Sequence, residues 1–522
     1  MHITPDPRAS ADDNNNLRGE EKVSALQVYE KPAFKQDPSP LTEKNAITAD
    51  VQQGDVEPIS VEQDGDVIRE TDYTPTEYKI LLKKIDRFLL PLMWFCYGIQ
   101  QTDKTALGTQ AIFGLREDTN LVGQQYSWLT TIFYIAYLCG EFPSNFLLQR
   151  WAIGRSLSRF PSNSHPPDQG PTFQQIVSTW YRTEEHSARA LFWQSANAGF
   201  GIIASLVMYG IANHALHHES GIAAWRCISL FLGSCTIVLA LICFVLLGSP
   251  KEVRWLSKEE KRMAAARIVR SKAGRDVTGI KWSWDQTAEA LMDPQLYFCM
   301  FNAFLSSVPN GGLTTFANIM LNSFGFTELQ VILIEIPRSA LSLIIFLIVG
   351  LYTRRVSNRR MYVMAASCIP PFVGLLGMAF LPNTPAYRWT KWGMYFMSVP
   401  YVLALFLAWT LIPSNVAGRT KKTLISSATF LGYCVGNMCG SQIFKSEDAP
   451  RYIPGTTGAS VCLGMEFVLI CCWRGYYVWQ NWRREKLARD SGVGSEEQER
   501  LGRELGERNV TDLQNPHFRY TM

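Results

Sequence analysis

The stretch AWRCISLFLGSCTIVLALICFVLL, residues 224–247, is 24 residues long and carries one charge, Arg226, close to its start. A helix of that length reaches about 36 Å, enough to cross the hydrocarbon core of a bilayer. The run stops abruptly at GSPKEVRWLSKEEKRMAAARIVR, residues 248–270, which is dense in Lys, Arg and Glu. A long apolar run ending in a basic segment reads as a membrane-spanning helix that meets water on the cytoplasmic side. In lipid the peptide groups of such a run must satisfy one another, so the helical state is forced.

Nine further candidate spans surround this one: 88–107, 126–148, 188–211, 294–318, 329–351, 361–381, 392–413, 424–443 and 458–479. Several begin or end with Trp or Tyr, among them Tyr126, Trp128, Trp225, Trp392, Trp473 and Trp479. Such rings belong at the headgroup level. With the N-terminus in the cytoplasm, the inner loops hold Arg150, Arg155, Arg159, Arg182 and Arg189, then the run from Lys251 to Lys281. They continue with Arg354, Arg355, Arg359, Arg360, Arg419, Lys421 and Lys422. The outer loops hold Arg116, Arg388, Lys391, Lys445 and Arg451, and none in 212–223 or 319–328. This asymmetry orients all the spans at once.

Charged residues make up only 18% of the 522, against about a quarter in soluble proteins. Residues 1–80 are polar and poor in aromatics, which predicts a disordered cytoplasmic region with no cleaved targeting segment. The net charge of +4 gives no support to nucleic-acid binding. Most of the twelve cysteines lie inside apolar runs, where they act as small hydrophobes. The segment 249–292 reads as a cytoplasmic linker between an N-terminal lobe (81–248) and a C-terminal lobe (293–482), followed by a cytoplasmic tail (483–522). Within the linker, Ser257 and Glu260 have the spacing of a capping box opening an amphipathic helix.

A series of motifs gives the pattern a family. QQTDKTALGTQAIFGLREDTNLVGQQYSWLTTIFYIAYLCGEFPSNFLLQRWAIGR (100–155) resembles the first two spans of fungal allantoate permease-like transporters. These form part of the anion:cation symporter branch of the major facilitator superfamily. The similarity resumes at STWYRTEEHSARALFWQ (178–194) and runs through SVPNGGLTTF, IPSNVAGRTKKT, GYCVGNMCG and SEDAPRYIPG to NPHFRYTM (515–522). The resemblance implies an all-α membrane protein with a two-lobed helical bundle of six spans per lobe. This chain offers about ten, four plus six. Residues 156–178, SLSRFPSNSHPPDQGPTFQQIVS, stand where the third and fourth spans would fall, and they are too polar, too short and too rich in Pro to cross lipid. The Arg-containing motif usual in the fourth span is missing. Either the shortened lobe reflects mis-splicing of the gene, or the chain is a true ten-span protein.

Charges inside spans cost about 2.5–3.5 kcal/mol each by insertion scales, so each asks for a reason. Asp103 and Lys104 are about 100° apart on their helix and do not pair with each other. They are candidates for binding a proton or a substrate carboxylate, or else a polar cap at a helix end. Glu141, in GEFPSN, falls near the inner surface, as a proton site or a gate and packing carboxylate. Glu335 and Arg338 share a helix face and read as a structural pair. Asn197, Asn310 and Asn437 carry amides suited to a carboxylate or ureido group, or to gluing helices together. Gly432, Gly436 and Gly440 recur every four residues, which predicts close helix packing.

The expected function is secondary active transport, not enzyme catalysis: proton-coupled uptake of a small organic anion such as allantoate, a ureido acid or a vitamin-like carboxylate. The resemblance implies a multi-pass protein of the plasma membrane, monomeric, with both termini cytoplasmic. Its partners are the anion, protons and the bilayer, without nucleic acid, cofactor or metal. The rival is a non-transporting solute sensor, or an inactive product of the shortened lobe.

Overall fold

A computed structural model describes residues 60–63, 66–69, 73–150, 196–217, 221–247, 253–273, 282–356, 358–490 and 509–522, with isolated positions between 180 and 195 and between 497 and 505. The side chains of 141–150, and the whole of the 156–178 break, lie outside the described residues.

The described part is helical apart from a two-stranded antiparallel hairpin, β1 (Ser60–Gln63) with β2 (Asp66–Arg69), in which Val61 faces Ile68. Helix α1 (Pro75–Gln110) begins ahead of the boundary expected at residue 81, because Thr74 and Glu77 form a capping box. The hairpin and this early start correct the expectation of disorder throughout 1–80. The remaining described helices of nine residues or more are α2 (Gln125–Arg150), α3 (Ala196–His217), α4 (Ala224–Leu246), α5 (Lys258–Ala273), α6 (Trp284–Met292), α7 (Pro294–Ser323), α8 (Glu328–Arg355), α9 (Arg360–Phe380), α10 (Arg388–Phe396), α11 (Val402–Asn415), α12 (Arg419–Ile443) and α13 (Ile453–Asp490). Each of the ten expected spans overlaps one or more of them.

Six of these segments are long and apolar enough to cross a membrane: α3, α4, α8, α9, the stretch Pro385–Asn415 that holds α10 and α11, and α13. On their outer faces Leu241 is 64% and Phe380 71% exposed, a band suited to lipid and not to water. The expected spans on α1, α2, α7 and α12 carry more polar residues. Many of these face the other lobe or a central cavity, where an apolar surface is not required. In the linker, the Ser257 N–H donates to Glu260 Oε2 at 2.8 Å and the Glu260 N–H to Ser257 Oγ at 3.2 Å, so the capping box that opens α5 is formed. Lys84 then ties α5 to α1 through Glu260 at 2.7 Å.

Helix α7 packs closely along α12. A Cβ on Gly432, Gly436 or Gly440 would collide with the carbonyl oxygens of Met300, Phe304 and Val308, respectively. Both series step by four residues, so the bare face of α12 lies directly against the α7 backbone. We expect Gly436→Ala to destabilise the protein by about 1–3 kcal/mol through overpacking. Gly210→Ala, at a glycine with open space around it, should be tolerated. Thermal unfolding of the two variants in detergent checks the contrast, and equal melting would refute it.

The tail differs from a free appendage. Helix α13 continues to Asp490, and residues 509–522 lie across the ends of α6, α7, α11 and α12. Asp512 and Asn515 are fully buried and Tyr520 nearly so. The polar side chains of NPHFRYTM and its upstream neighbours find fixed partners there, which composition alone does not reveal.

Candidate functional site

A cavity of about 1890 Å³ lies between the two lobes. From the N-terminal lobe, α1 contributes Gln100, Asp103 and Lys104, α2 contributes Phe133 and Tyr137, and α3 contributes Asn197. From the C-terminal lobe come Asn310 and Asn318 of α7, Glu335 and Arg338 of α8, and Tyr395, Tyr401, Trp409 and Tyr433. The cavity extends to Pro413, Arg419 and Lys422, at the end of the bundle that carries the basic linker.

At the opposite end neutral side chains join the lobes. Tyr126 OH donates to the Thr315 carbonyl at 2.9 Å, Thr130 Oγ1 lies 3.1 Å from Thr315 Oγ1, and Thr131 Oγ1 lies 3.2 Å from Ser441 Oγ. Gln442 Nε2 donates to Thr131 Oγ1 at 2.7 Å. The hydroxyls of YSWLTT (126–131) thus face α7 and α12. These four hydrogen bonds join neutral groups and are worth only about 0.5–1.5 kcal/mol each, so they can open without a large penalty, and Arg116 stacks over the Tyr126 ring beside them.

Two polar clusters stand in the cavity wall. Lys104 Nζ donates to Tyr433 OH at 2.7 Å and sits over the ring of Tyr134, 4.9 Å from its centroid. In the other cluster, Arg338 Nη1 donates to Glu335 Oε2 at 3.3 Å, Tyr395 OH donates to Glu335 Oε1 at 2.8 Å, and Arg338 stacks over the Tyr395 ring. Arg338 Nε is buried without a hydrogen-bond partner. Between the clusters, Tyr401 OH donates to Asn310 Oδ1 and Asn310 Nδ2 donates to Asn437 Oδ1, both at 2.7 Å.

The family model described as Major Facilitator Superfamily matches residues 169–441, slightly more than half of the chain. The chain belongs to the major facilitator superfamily. It is similar to an uncharacterized transporter of Schizosaccharomyces pombe, at 31% identity over 86% of this chain and 88% of that protein. It is also similar to the allantoate permease of Saccharomyces cerevisiae, at 29% identity over 87% and 88%, and to that yeast's thiamine pathway transporter THI73, at 25% over 84% and 86%. Among solved structures, a bacterial homolog of the human lysosomal transporter Spinster, inward-facing and occupied, superposes with TM-score 0.51 at 14% identity, covering 77% of this chain and 97% of that one. The xylose transporter XylE of E. coli, partially occluded and inward open, gives 0.50 at 13%, covering 74% and 96%. These two likenesses speak for the fold alone. The chain is therefore a multi-pass membrane transporter and not an enzyme.

Within the superfamily fold, Asp103, Lys104, Asn197 and Asn310 all line the one cavity. Asn437 does not reach it: the residue is fully buried behind the wall, where it fixes the Asn310 amide and donates to the Tyr433 carbonyl at 2.8 Å. Glu141 lies on α2, and its side chain is outside the described residues. Glu335 and Arg338, read from sequence as a structural pair, do bond to each other, yet they also line the cavity. Tyr433 lay unnoticed inside GYCVGNMCG because the glycine spacing dominated that motif. Glu466, a fully buried acid inside the apolar run VCLGMEFVLI, carries the same signal as Asp103 but is not among the cavity residues.

Proposed function

We propose that this transporter imports a small organic anion together with protons, and that its substrate class is allantoate, related ureido acids or vitamin-like carboxylates. The observation that carries the reading is the presence of two cations from different lobes, Lys104 on α1 and Arg338 on α8, in the wall of one cavity. An organic anion held between them has a partner on each lobe. Asn197 and Asn310 add amide donors and acceptors matched to a ureido group. Asp103, the chain neighbour of Lys104, and Glu335, bonded to Arg338, both line the cavity and are the carboxylates suited to carrying the coupled proton. The similarity to allantoate permease supports the ureido class.

With the basic linker in the cytoplasm, both termini are cytoplasmic, the cavity opens inward and the hydroxyl seal closes the outer side. The protein acts as a monomer in the plasma membrane. Lobe rocking about the midplane site would move the anion from one side to the other.

Uptake of radiolabelled allantoate by cells expressing the full chain should rise when the outside is acidified and vanish with a protonophore. Lys104→Ala should reduce it to background at normal surface expression. Accumulation that ignores the proton gradient would remove the coupling. Full uptake by Lys104→Ala would remove the anion site.

A further inference from the structure

The surroundings of Lys104 are unusual for a residue meant to receive an anion. Its ammonium lies beside two rings of α2, Tyr134 at 4.9 Å and Phe133 at 5.9 Å from Nζ to centroid. The third contact is the 2.7 Å hydrogen bond to Tyr433 OH. Phe133 and Tyr134 belong to α2 of the N-terminal lobe, whereas Tyr433 belongs to α12 of the C-terminal lobe. The Tyr134 and Tyr433 rings meet edge to face at 6.0 Å, so the enclosure is shared by both lobes. Ring faces attract a cation, more strongly where water is excluded, and a phenolic oxygen accepts from an ammonium.

An alternating-access symporter must return without its substrate, and that return brings Lys104 through a closed, low-dielectric interior. A bare ammonium there is costly. The geometry points to a parking site: Phe133, Tyr134 and Tyr433 hold Lys104 in the substrate-free carrier, and the substrate's carboxylate must draw it out to bind. This deepens the reading of Lys104 as the anion's partner and rests on it. Tyr433 is then a positioning residue. It competes with the substrate for Lys104, and it also eases the empty return step.

Tyr433→Phe tests the idea, because it keeps the ring and its packing but removes the acceptor. A hydrogen bond to a charged group is strong enough to shift an equilibrium by about tenfold. In liposomes containing the full-length variant, the half-saturating concentration of allantoate should fall, by up to about tenfold. Net uptake into liposomes without internal substrate should slow more than exchange against internal allantoate, so the ratio of exchange to net uptake rises several-fold. A merely structural defect would raise the half-saturating concentration or depress both modes together, and either result overturns the proposal, as does no change in either quantity.

A second measurement needs no substrate. A water-soluble amine-acylating reagent, followed by peptide mass spectrometry, should label Lys104 several-fold faster in Tyr433→Phe than in wild type, with Lys422 as internal reference. Equal labelling overturns the parking site. Failure of the wild type to carry allantoate would instead count against the substrate reading, and the labelling result would still decide the matter of Lys104.

Discussion

Introducing cysteines by Thr131→Cys and Ser441→Cys, and then oxidising them, is expected to stop transport completely, with recovery on reduction. The two hydroxyls are 3.2 Å apart, on α2 of one lobe and α12 of the other. They belong to the seal at the end of the cavity opposite the basic loops. For the cavity to open at that end, these helices must separate, since Tyr126, Thr130 and Thr131 all bond across the same boundary. The native contacts are weak enough to break in every cycle. A disulfide is not, so it would hold the protein with one side permanently shut. Each single cysteine variant should transport under the same oxidant, which controls for native Cys434 and Cys439 on the same helix. Undiminished uptake with the cross-link verified by mass spectrometry would mean that this boundary does not open during transport.

Tyr126, Ser127, Thr130 and Thr131 are ordinary residues at a helix start, and their meaning comes from partners at 315, 441 and 444, far away in the chain. Spans were much easier to read. Their signal is local, because a run of about 20 apolar residues has only one stable backbone state in lipid. The capping box at Ser257 and Glu260 was legible for the same reason. In the cavity wall, Asp103, Lys104, Asn197 and Asn310 could be picked out because polar groups inside apolar runs need an explanation. A polar group in an apolar run is buried among partners, but the run does not show which ones. Asn437 has the same setting as Asn310, although its side chain is covered by its neighbours, and the spacing of Glu335 and Arg338 shows their pairing but not their place in the cavity wall. Periodicity could not reveal that the last fourteen residues would be bound to the bundle, since docking depends on a complementary surface made by six separate helices, α13 and α9 among them.

That docked segment leads to the second large effect, on stability. Lys421, at the start of α12, is fully buried, and its Nζ lies 2.6 Å from Asp293, 2.9 Å from Asp512 and 3.0 Å from Glu289. Asp293 caps α7, Glu289 lies on α6 just before it and Asp512 comes from the C-terminal segment, so one ammonium on α12 joins the α6–α7 junction to the C-terminal segment. Burial alone would lower the affinity of Lys421 for its proton, but Asp512 and Asp293 outweigh that and hold it charged, above the ordinary lysine range. Lys421→Met keeps most of the volume and removes the charge. Asp293 and Asp512, both fully buried, then face each other without the ammonium between them, and Arg484, which donates to the Asp512 carbonyl at 2.6 Å, is the cation left nearby. Breaking a buried ion pair in this way costs about 3–5 kcal/mol, which is a large share of the stability of a typical domain. The variant should therefore melt well below wild type in detergent. Asp512→Asn added to Lys421→Met should recover part of the loss, because it takes away one of the stranded charges. The pH dependence has a definite sign. Burial already lifts the Asp293 carboxyl above its usual range, and losing the lysine lifts it further. A buried acid with a raised folded-state pKa destabilises the fold above that pKa and ceases to do so once protonated. The deficit of Lys421→Met relative to wild type should accordingly shrink as the pH is lowered and widen as it is raised. A variant that melts with wild type across that range would show that the C-terminal segment is held by its hydrogen bonds alone, with the ionic cluster contributing nothing.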